Sequence, residues 1–117
     1  MLITKEFLFD AAHKLTDYHG KCENLHGHTY KLHVTVEGKI KKNGLVVDFL
    51  DIKKLVNEKV LDKLDHSYLN DFFKNPSAEN IVIWIWKQLK DMKKFGVKLN
   101  EIVLWENPTS FVTYRGK

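Results

Sequence analysis

The chain predicts an α+β fold with the element order β-β-α-α-β-β. Segments rich in β-branched and aromatic residues lie toward both ends of the chain. Two stretches with helical apolar spacing lie between them, and turn or capping residues mark the junctions. At 117 residues the expected organisation is one domain over 1–117.

Residues 2–10 read as the first strand, with Ile3, Phe7 and Phe9 prominent, and Ala11-Ala12-His13 follows directly. Residues 16–24 are polar, contain Gly20 and read as a loop. Residues 28–37 hold Thr29, Tyr30, Val34, Thr35 and Val36 and read as the second strand. Asn43-Gly44 is a turn signal. Residues 46–49 lead into a helix whose apolar positions are Ile52, Leu55, Val56, Val60 and Leu64, ending near Asp65-His66. Pro76-Ser77 opens a second helix, with Ser77 as N-cap and Gly96 as the stop. The middle of this segment, 81–86, is strand-like in composition; the cap, the length and the continuation through Leu89, Met92 and Phe95 favour helix. Residues 102–105 make a third strand, Asn107-Pro108 breaks it, and residues 111–115 make the fourth.

The bulk numbers exclude several classes. A net charge of +4, from 19 basic and 15 acidic residues, is mild. It suits an anionic small substrate, without the Lys/Arg stripe that nucleic acid requires. Lys39, Lys41 and Lys42 read as a solvated turn. A single cysteine, Cys22, makes no internal disulfide, which points to a reducing compartment. No apolar run approaches a membrane span, and residues 1–6 lack a signal-peptide layout. The expectation is a soluble, cytoplasmic protein without membrane or nucleic-acid partners.

His26-Gly27-His28 carries the chemistry. In an extended segment, side chains two residues apart share a face, so both imidazoles reach one metal ion. His13 supplies a third ligand from another strand. Three protein ligands leave one position open, as in catalytic zinc sites. His33 has the wrong parity, and His19 reads as a loop residue. Cys22 stands close by in sequence, where a cation lowers a thiol pKa and makes a base. Asp65-His66 has a plain reading as a helix-end pair and a functional one as an oriented imidazole. Glu106 is either a strand-end charge or a carboxylate that accepts two N–H donors from a flat heterocycle.

Five ordered motifs then carry a resemblance: Phe9-x-Ala11-Ala12-His13, Cys22-x-x-x-His26-Gly27-His28-x-Tyr30, Asp65-His66-x-x-Leu69-Asn70, Pro76-Ser77-x-Glu79-Asn80 and Trp105-Glu106-x-Pro108-Thr109-Ser110. Over about residues 7–114 the chain resembles the 6-pyruvoyl-tetrahydropterin synthase family, including its 6-carboxy-tetrahydropterin synthase branch. The resemblance implies a tunnelling (T) fold, with a four-stranded antiparallel sheet, two helices on one face, and sheets from several subunits joined into a barrel. It implies a homohexamer of two stacked trimers. It also implies zinc on His13, His26 and His28, a catalytic triad of Cys22, Asp65 and His66, pterin anchoring by Glu106, and further pterin contacts at Ser77 and Glu79. Ser77 departs mildly from the threonine common there. Some members that process pterins differently carry glutamate for the cysteine; this chain keeps Cys22, with Glu23 adjacent. The implied substrate is 7,8-dihydroneopterin triphosphate. The leading expectation is a lyase giving 6-carboxy-5,6,7,8-tetrahydropterin, acetaldehyde and triphosphate, on the route to 7-deazaguanine bases. The alternative is the pyruvoyl product. A non-catalytic zinc- or pterin-binding module is the competing class, and a thiol beside an open zinc site argues against it.

Overall fold

Strands β1 (Leu2–His13) and β2 (His26–Glu37) pair antiparallel along their full length, from Leu2 opposite Glu37 to His13 opposite His26. The computed structural model describes residues 1–15 and 24–117. Strand β4 (Lys98–Asn107) pairs antiparallel with β2, and β5 (Ser110–Tyr114) with β4. The two-residue strand β3 (Ser67–Tyr68) adds to the other side of β1, parallel to it, giving the order β3-β1-β2-β4-β5. The antiparallel four-stranded sheet expected from the sequence is therefore present with one short parallel addition. Two residues are too few to show a period of two, which is why β3 left no mark in the sequence.

Alternation sorts the strands into two faces. Phe7, Phe9 and Ala11 of β1, Tyr30, Leu32, Val34 and Val36 of β2, and Ile102 and Leu104 of β4 are all buried on one of them. The helices cover that face. Helix α1 (Phe49–Val56) starts at Asp48, whose side chain accepts from the Leu50 N–H at 2.8 Å. It runs on through a wider π turn (Asn57–Leu61) into α2 (Asp62–Leu64). Helix α3 (Ala78–Gln88) starts at Ser77, whose hydroxyl accepts from the Asn80 N–H at 3.2 Å. Ile52, Leu55, Val60 and Leu64 from the first segment and Ile81, Ile85, Leu89 and Met92 from the second complete one core. Fully burying each such side chain stabilises by about 1.5–3 kcal/mol.

The second helical segment differs from expectation in its last part. The α-helix stops at Gln88, and Lys90–Phe95 continues as a 3-10 helix to Gly96, whose φ of 76° is left-handed and suits glycine. Strand boundaries also shift. β1 extends to His13, β2 begins at His26, and β4 spans Lys98–Asn107, so the chemistry-bearing residues sit inside strands. Among the described residues no helix is long and apolar enough to cross a membrane.

Candidate metal centre and flanking acid–imidazole cluster

The apolar stripe on the helix-covered face turns polar at one end of the sheet. Continuing by twos, β1 runs Phe9, Ala11, His13; β2 runs backward Leu32, Tyr30, His28, His26; β4 runs Ile102, Leu104, Glu106. Because the three strands are adjacent, the four polar side chains meet. His13 Nε2 lies 3.0 Å from His26 Nε2. Glu106 Oε1 lies 3.2 Å from His28 Nε2 and 3.8 Å from His13 Nε2. The three imidazole centroids are 4.6–5.0 Å apart.

The outer hydrogen bonds fix which nitrogens face inward. His13 Nδ1 is 2.8 Å from the Pro76 carbonyl, and His26 Nδ1 is 2.9 Å from the Asn24 carbonyl. A carbonyl only accepts, so each Nδ1 donates, and each neutral ring is left with a bare Nε2. Two bare nitrogens 3.0 Å apart repel unless a cation lies between them. Ligands about 2.0–2.1 Å from a tetrahedral zinc stand roughly 3.3 Å from one another, inside the spacings seen here. The donor set of three imidazoles and a carboxylate, all within 4.8 Å, therefore fits a metal ion. His13 is fully buried, and Glu106 keeps 29 % side-chain exposure, so a metal ion held by this group would be closed off on the core side and approachable past Glu106.

Tyr30 lies under this cluster. Its ring stacks on Phe9 with centroids 4.9 Å apart, and its hydroxyl is 3.5 Å from His13 Nδ1. Burial, with the Glu106 carboxylate adding to it, pushes the Tyr30 phenol well above its ordinary pKa. It stays a neutral hydroxyl throughout the physiological range.

Asp65 and His66 form a second group, past the end of α2. His66 Nδ1 is 3.2 Å from Asp65 Oδ1. Asp65 Oδ1 also accepts from the Asp10 N–H at 3.0 Å, and the His66 N–H donates to the Asp10 carbonyl at 2.6 Å. His66 has a φ of 58°, a left-handed conformation that a histidine adopts at a cost. These contacts with β1 and the β3 pairing hold it there. Sequence reasoning missed Asp10 and its partner Thr29, whose hydroxyl donates to Asp10 Oδ1. Both read as ordinary outward residues of a strand, and only the cross-strand register makes them neighbours.

Two cavities of about 510 Å³ each adjoin these groups. One is lined by Asp10, Thr29, His28 and His66, the other by His28, Lys31, Trp105, Glu106 and Asn107 among others. Ser77 and Glu79 are not among their lining residues. The Ser77 hydroxyl caps α3, Glu79 is exposed on its first turn, and the preceding residue, Pro76, holds His13. Cys22, with His19 and Glu23, lies outside the described residues. His33 pairs with Glu6 at 2.9 Å, away from the cluster.

A family model described as 6-pyruvoyl tetrahydropterin synthase matches residues 2–117. The chain is 38 % identical over 139 residues to a 6-carboxy-5,6,7,8-tetrahydropterin synthase of Haemophilus influenzae, covering 97 % of each chain. It is 47 % identical over 100 residues to a dihydroneopterin monophosphate aldolase of Pyrococcus furiosus, covering 84 % of this chain and 82 % of that one. The fold matches the structure of Caenorhabditis elegans 6-pyruvoyl tetrahydropterin synthase with a TM-score of 0.85 at 27 % identity, covering 100 % of this chain and 96 % of that one.

Proposed function

Because this chain belongs to the 6-pyruvoyl tetrahydropterin synthase family, we propose that it is a zinc-dependent lyase converting 7,8-dihydroneopterin triphosphate to 6-carboxy-5,6,7,8-tetrahydropterin, with release of acetaldehyde and triphosphate. The observation that carries this reading is the inward convergence of His13 Nε2 and His26 Nε2 beside His28 and Glu106. His13, His26 and His28 hold the zinc. When bound, zinc supplies a Lewis acid for the oxygens of the substrate side chain.

The remaining roles belong to the chain's own groups. Glu106 accepts the N–H donors of the pterin ring and holds it so that its side chain lies over the histidines, a positioning effect. Cys22 removes a side-chain proton as thiolate. The Asp65–His66 pair relays protons, with Asp65 orienting the imidazole. Ser77, outside both cavities, acts through the α3 cap beside Pro76, whose carbonyl holds His13. The working form is a cytoplasmic homohexamer of two trimers. Its support is the open sheet: among the described residues no strand pairs with the outer edge of β5, and β3 covers β1 only at Ala11 and Ala12. Such edges call for a partner strand.

A second reading, aldol cleavage of dihydroneopterin monophosphate, is favoured by the name of the Pyrococcus furiosus relative. A third, the pyruvoyl product, is favoured by the Caenorhabditis elegans structure. Incubating the zinc-loaded protein with each phosphate ester and weighing the products separates the three. The proposal expects 6-carboxy-tetrahydropterin and acetaldehyde from the triphosphate. Turnover of the monophosphate alone, or a pyruvoyl product, overturns it.

A further inference from the structure

The cavity beside Glu106 carries charge of both signs. Glu106 is a carboxylate suited to N–H donors, and Lys31 is the one lysine or arginine among the described residues that line it. Strand alternation puts Lys31 on the helix-free face and Glu106 on the helix side, yet both line the same space. The Lys31 ammonium stands 5.5 Å from the ring centre of its cross-strand partner Trp105, which itself packs on Phe111 with centroids 4.2 Å apart. That aromatic platform holds the ammonium beside the cavity by cation–π attraction, which does not use up its N–H donors, so they can still meet an anion. Among the described residues the ammonium makes no ion pair.

We infer that Lys31 is a specificity-determining residue that receives the phosphate of the substrate while Glu106 receives its ring. A cavity with an anion toward one side and a cation toward the other selects a ligand of the reverse polarity. A donor-rich heterocycle bearing a phosphate ester has that polarity; an unphosphorylated pterin has half of it. The inference rests on the pterin-phosphate reading given above, and extends it to a residue outside the five motifs.

The test measures binding rather than turnover. The zinc-loaded protein is titrated with two oxidised, unreactive probes, neopterin and neopterin triphosphate, and pterin fluorescence gives the two dissociation constants. Lys31→Gln weakens neopterin triphosphate about tenfold, the size of one lost charge-assisted contact, and changes neopterin less than twofold. Lys31→Arg restores the preference for phosphate. An equal loss for both probes means that Lys31 only shapes the wall through Trp105, and overturns the assignment, as does no loss for either. If the unmodified protein binds neither probe, the pterin reading itself fails and takes this assignment with it. Binding of neopterin by the unmodified protein, together with an unchanged phosphate preference in Lys31→Gln, overturns the Lys31 assignment alone.

Discussion

The histidine cluster and the Asp65–His66 pair are built in opposite ways. The cluster continues the core stripe of three long strands, the outer nitrogens of His13 and His26 are tied to backbone carbonyls, and His13 is wholly buried. The pair sits on a turn: His66 is 80 % exposed, and its backbone is held left-handed by contacts to Asp10. Groups that must present a fixed set of lone pairs belong on rigid elements, where a small displacement would spoil the geometry. Groups that exchange protons need access, and local strain is tolerated there because neighbouring contacts hold it.

Removing an arm of the cluster tests the rigid half, and the expected effect is the largest. Metal analysis of the unmodified protein is expected to find about one zinc ion per chain, and His26→Ala, which removes one of three imidazoles, is expected to lose most of it. Full zinc content in that variant would remove the basis of the metal assignment. On the exposed half, His66→Ala keeps zinc and lowers the turnover rate by roughly 10²–10⁴-fold, the usual worth of a proton-transfer residue. A rate within twofold of the unmodified protein would make the pair structural. His66→Gly sharpens the contrast further. It loses the same activity yet raises stability by about 0.5–1 kcal/mol, because glycine adopts the positive φ without strain; a lower melting temperature would count against strain at this turn.

Glu106 stands at the border between the two designs, since it approaches His28 closely and keeps solvent access. Glu106→Gln is expected to weaken pterin binding by about 10–100-fold, the value of a charge-assisted pair, with zinc retained. Loss of zinc instead would move Glu106 from ring anchor to fourth ligand. The smallest effect is at Ser77. Ser77→Ala removes the α3 cap, at about 1 kcal/mol and a few degrees of melting temperature, and loosens the neighbouring Pro76 carbonyl that orients His13. A loss of metal affinity accompanying the stability loss would reveal that link.

How far these features could be read from the sequence follows the range of the interactions involved. Local signals succeeded: alternation marked the strands, the Ser77 cap opened α3, and Gly96 closed the 3-10 segment. His26 and His28 sharing a face is also local, since it needs only the period of a strand. The approach of Glu106 to His28 is not. It depends on the β2–β4 register, in which Lys31 faces Trp105, and nothing within a short window encodes that register. Asp10 escaped notice for the same reason, because its meaning comes from Thr29 across one strand pair and from Asp65 far along the chain. The π turn at Asn57–Leu61 keeps the apolar spacing of the helix around it, so periodicity passes over it.

Because the candidate metal-binding positions are a prolongation of the hydrophobic stripe, the scaffold asks of them only that they fill space at the end of the sheet. A duplicated gene could exchange the histidines for apolar side chains of similar bulk, keep every strand and helix, and drift toward a role with no chemistry at all. Lineages of this architecture can therefore lose an activity without losing a fold, and the histidines, rather than the shape, are the character by which an active descendant is told from a silent one.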